Sequence, residues 1–406
     1  MPVSGAMMRR PGNKKTPWSV RAGDVLSRWV ITIGGIGTLI AVSTVFLYLL
    51  WVVAPLLKPS RLWDPQIVNI EKANGPLHLA MDEYQRMAWR YELNNRLLVF
   101  DVHNGATLAQ PDLTPGETVT AVYFSHLGTE SVLGLADGSI ILADFGFVTD
   151  YASETDAPEA VRSLRVGEHA ESDGRIWTRL PSGQLRSQRF VFHMDAPIPA
   201  ETTSRVLRVA RVDKAGATYV ASLHANGEAY LFRLTRRRNL LTGKETVVRT
   251  SRRVPLRPYA VNHPPVFLGL SGLADTLILL FEDGLLERYD LRNFDHPVFL
   301  DEARTLESPD RRVTACRFLL GRSTLLIGDS HGRVRAWFPV IVDSQGDEAR
   351  SRTRLVAAQT LEGRPHAVTA LATSQRIRMF AAGYADGTVR LFHVTSGKKL
   401  GEVHRR

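Results

Sequence analysis

The sequence predicts an all-β protein, a β-propeller of four-stranded blades preceded by one transmembrane α-helix. Two observations predict the propeller. A tripeptide recurs at one fixed distance before a glycine turn, and an aromatic residue recurs at another fixed distance after such turns. Fixed offsets that recur along a chain indicate one supersecondary unit used several times. A third observation, a long uncharged apolar segment near the N-terminus, predicts the helix.

The repeated tripeptide is Val-Thr-Ala. In each of three copies it begins nineteen positions before a glycine: Val119 before Gly138, Val313 before Gly332, and Val368 before Gly387. Asp-Gly, Asn-Gly and Ser-Gly dipeptides between apolar segments are hairpin signals, because both central residues of a type I′ turn have positive φ. The copies therefore predict repeated antiparallel hairpins.

Seven turns carry part or all of this signature, and successive turns lie 43 to 57 residues apart. A four-stranded propeller blade takes roughly 40–45 residues, or more with insertions. We therefore expect seven blades. Ser182-Gly183 is the weakest member, because Gln188 stands at its aromatic position. The seven turns lie at Asn95, Gly138, Gly183, Gly227, Gly284, Gly332 and Gly387.

An aromatic residue lies five positions after the turn in five of the seven units: Phe100, Phe232, Tyr289, Trp337 and Phe392. An aspartate follows this position in three units, similar to the Trp-Asp ending of a WD-type blade: Asp101, Asp144 and Asp290. A β-sandwich also has turns at short regular intervals and is the alternative fold. It gives no reason for the fixed offsets.

Residues 29–57 contain no charged side chain. About 20 apolar residues suffice to cross a bilayer, and Trp29 and Trp51 near the two ends suit the interfacial aromatic belt. A cleavable signal peptide has an apolar core of only about 7–15 residues and a small-residue cleavage site. We therefore expect an uncleaved anchor in the lipid bilayer.

Six basic residues and one acidic residue precede this segment. The positive-inside rule then places the N-terminus in the cytoplasm and the propeller in the periplasm of a bacterium, at the inner membrane. The expected organisation is a basic cytoplasmic tail at 1–28, a transmembrane helix at 29–57, a linker at 58–66 and a periplasmic propeller at 67–406.

The chain has a formal net charge of +10, of which the N-terminal tail supplies half. The remainder is spread over the propeller, so we expect no nucleic-acid binding. Cys316 is the only cysteine and can form no internal disulfide. It is expected to be a small buried residue of a strand at 313–318.

No pattern in the sequence predicts catalysis, and we expect no enzyme activity, metal site or cofactor. Residues 328–332 match the Gly-x-Ser-x-Gly nucleophile motif. That motif works only on a strand-to-helix turn, whereas a strand pattern follows here. The twelve histidines show no paired spacing typical of metal ligands.

One stretch, residues 233–257, carries nine basic residues. Two interpretations stay open. The stretch is either an ordinary solvated hairpin or a basic surface that faces anionic headgroups, an anionic ligand or an acidic partner. The candidate binding residues are Arg236, Arg237, Arg238, Arg252 and Arg253.

The membrane segment with its flanks, from Asp24-Val25 through Gly34-Gly35 to Ala54-Pro55, resembles the first transmembrane helix of the phosphate ABC transporter permease family. The form it resembles carries a large periplasmic insertion after that helix, and the repeat region is similar to that insertion. The resemblance implies inorganic phosphate uptake. It also implies a second permease subunit, an ATPase subunit and a periplasmic phosphate-binding protein as partners. The family's further membrane helices are missing, so we expect a fragment of a longer permease.

The resemblance implies that the propeller docks or regulates these transporter partners. The alternative is a stand-alone membrane-anchored propeller that serves as a scaffold for envelope protein assembly. A propeller enzyme would need acidic or metal-binding side chains that converge at the central channel, and the sequence does not show which side chains converge there.

Overall fold

The computed structural model describes residues 17–54, 68–70, 76–92, 95–113, 116–125, 129–238, 245–342, 352–374 and 376–404. The chain divides into two compact units, Met1–Arg61 and Leu62–Arg406. The predicted linker at 58–66 and most of the predicted basic tail lie outside the described residues.

The first unit contains one long helix, α1 (Trp18–Val53), of 36 residues. It begins before the predicted span, so Arg21, Asp24 and Arg28 belong to its first turns. One 18-residue window has a mean hydropathy of 2.3, and no residue of the helix is buried. Threonine hydroxyls inside it donate to the carbonyl oxygen four residues earlier, at 2.8 Å for Thr32, Thr38 and Thr44. These bonds satisfy the three threonine hydroxyl groups of the apolar stretch within the helix itself.

The second unit consists of antiparallel sheets, and its described residues form a β-propeller of six blades. The strands of the first three blades are β1 (Pro76–Met81), β2 (Met87–Glu92), β3 (Leu97–Asp101), β4 (Thr107–Ala109), β5 (Val119–Phe124), β6 (Ser131–Leu135), β7 (Ile140–Ala152), β8 (His169–Ser172), β9 (Arg175–Arg179), β10 (Leu185–Met194), β11 (Val206–Lys214), β12 (Ala217–His224), β13 (Ala229–Arg238) and β14 (Glu245–Val254). Two short helices accompany the strands, α2 (Glu159–Arg162) and α3 (Pro258–Asn262).

The remaining three blades follow the same plan. Their strands are β15 (Phe267–Leu270), β16 (Thr276–Leu280), β17 (Leu285–Asp290), β18 (Val298–Arg304), β19 (Val313–Phe318), β20 (Leu325–Asp329), β21 (Val334–Val342), β22 (Arg352–Leu361), β23 (Val368–Thr373), β24 (Met379–Tyr384), β25 (Thr388–His393) and β26 (Lys398–His404). Five of the six described sheets contain four strands in sequence order, and every neighbouring pair of strands is antiparallel.

The predicted count of seven blades is wrong, because one of the seven turns belongs to an insertion in blade 2. That blade is a six-stranded sheet with the order β5-β6-β7-β10-β9-β8. Strand β10 pairs with β7 over ten residues, and the β8–β9 hairpin extends the sheet beyond β10. The turn at Gly183 joins β9 to β10. The insertion has its own small core, formed by Ala157, Val161, Trp177 and Leu185.

The predicted turns are confirmed in conformation. Asn95 has φ 59°, and each of the six predicted turn glycines has a φ between 79° and 91°. In the six blades the turn lies between the second and third strands, and the residue five positions later lies buried on the third strand. The fixed distance from the turn therefore places the aromatic residue at a position of the third strand whose side chain points into the core.

The valine of the third Val-Thr-Ala copy, Val368, lies where neighbouring blades approach closely, and Val206 holds the same place in blade 3. The valines of the three copies start the first strands β5, β19 and β23. A glycine on the second strand faces the first-strand valine of the next blade: a Cβ on Gly134 would lie 2.5 Å from Val206 Cγ1, and one on Gly328 would lie 2.7 Å from Val368 Cγ1. Only glycine allows this approach. The threonine hydroxyl of Thr120 donates to the Val206 carbonyl at 2.7 Å, which ties blade 2 to blade 3.

Five hydrophobic clusters each combine residues of two consecutive blades, from blades 1 and 2 through to blades 5 and 6. Among the described residues, no such cluster joins blade 6 to blade 1. At that place, hereafter the seam, Arg376 Nη2 lies 3.1 Å from Glu83 Oε1, and both side chains are exposed. Within the described residues, hydrophobic packing is therefore continuous along the chain from blade 1 to blade 6, and an exposed ion pair lies at the seam.

Candidate functional site

The first strand of each blade lies nearest the axis of the ring, because neighbouring blades meet through these strands. Thr120 of β5 reaches β11, and Phe267 of β15 packs edge-on against Phe318 of β19 with ring centroids 5.6 Å apart. A cavity of about 430 Å³ opens between five of the first strands and is hereafter the channel pocket. It is lined by His78, residues 120–124, 207–209, 266–268 and 316–318, and Arg322.

Three arginines line the channel pocket, from two first strands and one turn. Arg208 lies on β11 and donates to the carbonyl oxygen of its neighbour Leu207 at 2.8 Å. Arg317 lies on β19 and has no hydrogen bond or ion pair to any residue that the structure describes. Among the residues that the structure describes, no aspartate or glutamate belongs to the pocket lining. The pocket is therefore a cationic cavity without a counter-charge of its own.

The third arginine, Arg322, is held in place by its backbone and by aromatic rings. It lies in the turn between β19 and β20 with φ 51°. Its Nη1 donates to the Arg211 carbonyl at 2.7 Å, and its guanidinium carbon lies 5.3 Å from the Tyr123 ring centroid. Its Nη2 is buried without a hydrogen-bond partner in the described chain. The Arg322 guanidinium is thus already oriented in the unbound pocket, and its Nη2 group can still donate hydrogen bonds to a ligand.

Burial changes the acid–base properties of the pocket. It lowers the pKa of Arg317 and of Arg208, since removal from water disfavours the charged form. Arg208 keeps contact with solvent inside the cavity, yet protein atoms crowd its guanidinium. Burial raises the pKa of Tyr123, and the charges of Arg322 and Arg317 partly oppose that rise. The two cations therefore act on the same hydroxyl from within the pocket.

Cys316 follows its prediction in part. It lies on the predicted strand at 313–318, now β19, but it is only half-buried and lines the channel pocket. Burial raises the pKa of its thiol well above the usual value. The side chain is therefore a neutral thiol at physiological pH and supplies no charge to the site.

The predicted basic surface lies on β13 and β14, hereafter the basic hairpin. Its arginines meet acidic side chains from elsewhere in the chain: Arg236 lies 3.3 Å from Asp195, Arg252 lies 2.6 Å from Asp295, Arg253 lies 3.0 Å from Glu228, and Arg249 pairs with Glu201. Arg237 and Arg238 lie on β13 opposite Thr246 and Glu245, and their side chains lie outside the described part of the chain. Each of the described candidates Arg236, Arg252 and Arg253 therefore pairs with a different acidic residue.

The Gly-x-Ser-x-Gly match at 328–332 forms the predicted hairpin between β20 and β21. Asp329 accepts backbone hydrogen bonds from His331 and Arg333 at 2.9 Å, so its carboxylate closes the turn. A strand follows, so the sharp strand-to-helix geometry of a nucleophile turn is not formed. Among the described residues, no group of three or more His, Cys, Asp or Glu side chains could hold a metal ion.

Sequence reasoning missed the channel pocket. Arg208, Arg317 and Arg322 are isolated basic residues in the sequence, and no motif links them. The only available signal was the pair Gly321-Arg322, which follows Phe318 closely and marks a turn after a first strand. The ring geometry alone brings the three residues together.

No family model matches the chain, and no curated protein matches it. Solved structures of WD40 propeller proteins are similar at low identity. The propeller domain of Cps50 (Swd1) from Myceliophteria thermophila has 11% identity and a TM-score of 0.49, over 83% of this chain and 88% of that one. Raptor from Chaetomium thermophilum has 14% identity and a TM-score of 0.47, over 84% and 25%. Sqt1 from the same fungus, bound to the N-terminus of ribosomal protein L10, has 12% identity and a TM-score of 0.43, over 84% and 78%.

The predicted resemblance to a phosphate ABC transporter permease is wrong. No family model supports it, and the structures to which the chain is similar are WD40 propeller proteins rather than permeases. The resemblance depended on one apolar helix with Gly34 and Gly35. Small and apolar residues are what any membrane helix uses, so they do not distinguish one membrane family from another. The transporter subunits expected as partners lose their support with it.

Proposed function

We propose that this protein is a membrane-anchored propeller that acts as a scaffold for protein partners in the bacterial cell envelope. The proposal depends on one observation, namely that a single chain combines two dissimilar parts. One part is α1, an apolar helix of 36 residues with no buried residue, and the other is a rigid ring of sheets. An apolar helix that buries nothing within its own chain is stable in lipid. The proposal includes no catalytic role.

The ring suits a scaffold because its turns are fixed by the fold. Asn and Asp side chains in the turns accept backbone hydrogen bonds two residues on: Asp137 from Ser139 at 2.9 Å, Asp283 from Leu285 at 3.1 Å and Asp386 from Thr388 at 3.0 Å. Such turns hold the loops of each blade in one conformation before a partner arrives. Binding to pre-organised loops costs less ordering entropy than binding to flexible ones.

The proposed location places the propeller outside the cytoplasm, in the periplasm, and the N-terminus inside. It can be tested by cysteine labelling in a Cys316→Ala background, where Ser396→Cys lies in an exposed turn of blade 6. A membrane-impermeant maleimide should label Ser396→Cys in intact spheroplasts. It should label Ser4→Cys in the N-terminal tail only after lysis. The reverse pattern would overturn the proposed orientation.

The scaffold role can be tested by photocrosslinking in cells. A photoreactive amino acid at Leu320, an exposed residue of the turn that carries Arg322, should give discrete crosslinks to a defined set of envelope proteins. The matched control is Val298, an exposed apolar residue on the outer strand β18. Identical products at both positions, or none at Leu320, would contradict a specific docking surface at the turn between β19 and β20.

A further inference from the structure

We propose that the channel pocket binds a carboxylate of a partner polypeptide, with Arg317 and Arg208 as its direct ligands and Arg322 as a pre-oriented third donor. This inference rests on the proposed scaffold role and names the chemistry that the scaffold would recognise. It is carried by three guanidinium groups that share a cavity whose lining contains no acidic side chain.

Three buried arginines elsewhere in the propeller have a structural role, and each of them pairs with an acidic side chain. Arg211 lies 2.9 Å from Asp144 and 2.8 Å from Asp213. Arg288 holds both oxygens of Asp301 through Nε and Nη2, at 2.6 and 2.5 Å. Arg390 lies 3.0 Å from Glu402. Each of these side chains is nearly inaccessible to solvent, and each is neutralised.

Arg317 departs from that rule. Its guanidinium has no acceptor in the described chain, although burial already disfavours its charge. A partly buried cation without an acceptor is less stable than one that is paired. An arriving anion supplies that acceptor, and the buried Nη2 of Arg322 offers it a further donor. Glu130 interacts electrostatically with Arg322 but does not belong to the pocket lining, so it does not fill this role.

The pocket is also larger than a small inorganic anion needs, and apolar side chains form part of its wall. A water molecule occupies about 30 Å³ in the liquid, whereas the cavity holds about 430 Å³. Phe124, Val209 and Phe318 contribute apolar wall beside the arginines. A polypeptide that carries a carboxylate can contact both the arginines and the apolar wall. Its carboxylate oxygens accept hydrogen bonds from the guanidinium groups, and its side-chain carbons or a neighbouring apolar residue pack against the aromatic rings.

The test uses the full-length chain in a non-ionic detergent and four probes measured by isothermal titration calorimetry. The first is N-acetyl-Phe-Glu-amide, and its neutral control is N-acetyl-Phe-Gln-amide. The third, N-acetyl-Phe-Gly with a free C-terminus, separates a chain-terminal carboxylate from a side-chain carboxylate. The fourth is inorganic phosphate. We expect one of the carboxylate peptides to bind at least tenfold more tightly than the Gln peptide and than phosphate.

The variant Arg317→Gln should weaken that carboxylate peptide at least tenfold. Arg252→Gln removes one positive charge from the basic hairpin, where Asp295 pairs it, and should change the affinity less than twofold. If Arg317→Gln fails to fold, Arg208→Gln tests the same pocket, since its guanidinium makes one hydrogen bond to a neighbouring carbonyl. Equal binding of the Glu and Gln peptides, preference for phosphate, or unchanged binding in these variants would overturn the inference.

Failure of this inference can be told apart from failure of the scaffold proposal. Crosslinks at Leu320 that persist in Arg317→Gln, with no peptide binding, would leave a scaffold that recognises its partner elsewhere. Peptide binding that needs Arg317, with no crosslinked partner in cells, would leave a carboxylate site without the scaffold.

Discussion

The basic hairpin and the channel pocket both present arginines, and they differ in what surrounds those arginines. The hairpin has many arginines, and four of them form ion pairs with acidic side chains that lie outside β13 and β14. The described lining of the pocket has three arginines and no acidic side chain. The number of charges in a stretch of sequence is therefore a poor guide to a binding site, and a group of charges that lacks acidic partners inside a cavity is a better one.

Among the substitutions that test this difference, we expect the largest effect on stability at Arg211, a buried arginine with acidic partners. Arg211→Met would leave Asp144 and Asp213 without their shared cation and the Ser131 and Ala143 carbonyl oxygens without their donor. We expect the free energy of unfolding to fall by about 2 kcal/mol, a moderate loss because both carboxylates keep some contact with water. Thermal unfolding followed by tryptophan fluorescence measures it. An unchanged Tm would show that pairing does not stabilise this arginine.

The next effect concerns a paired carboxylate and depends on pH. Burial acts to raise the pKa of Asp386, but hydrogen bonds from Thr388 and the Arg364 guanidinium prevail and lower it to about 2. Since the folded pKa lies below the unfolded value, the stabilisation is present above about pH 4 and is lost as the pH falls toward 2. Wild type should melt above Asp386→Asn at pH 6, and the two Tm values should converge near pH 2. A constant difference across that range would contradict the assignment.

At the unpaired arginine of the pocket we expect a smaller effect of opposite sign. Arg317→Met removes a partly buried charge that has no acceptor in the described chain, so Tm should stay unchanged or rise by up to about 3 °C. Peptide binding should be lost in the same variant. A marked fall in Tm would show that Arg317 has a structural partner and that the contrast between the two regions is false.

The smallest effect is expected at the basic hairpin. Replacing Arg236, Arg237 and Arg238 with serine should change binding to anionic liposomes only slightly, because Arg236 already pairs with Asp195. Exposed ion pairs of this kind contribute about 0–1 kcal/mol to stability. Co-sedimentation at low and high salt measures the binding. A large, salt-sensitive loss of liposome binding would show that the basic hairpin binds anions although its arginines are paired, and would contradict the difference drawn between the two regions.

The sequence predicted what is local in this fold. Turn conformation follows from Asn95 and the turn glycines, and the buried aromatic position follows from counting along one strand. The number of blades could not be read in this way, because the Ser182-Gly183 hairpin of the insertion has the same local chemistry as a blade turn. Spacing alone does not show which strands the hairpin joins.

The candidate site could not be predicted for a related reason. Arg208 and Arg317 belong to blades 3 and 5, and ring closure alone makes them neighbours. The acidic partners of the hairpin are also distant in sequence: Asp195 is 41 residues from Arg236, and Glu201 is 48 from Arg249. Whether a charge is satisfied is a property of tertiary contacts, which periodicity and composition do not contain.

The seam between blades 6 and 1 has a consequence for how a partner could reach the channel. Each described sheet is built from its own stretch of chain, so no strand is shared across the seam and no hydrogen-bonded ladder must break for the two end blades to part. The described packing that joins the other blades is absent there, and blade 6 contributes no residue to the channel pocket lining. We therefore expect that parting of the two end blades would admit a partner's internal loop sideways and leave the arginines of blades 3 and 5 in place.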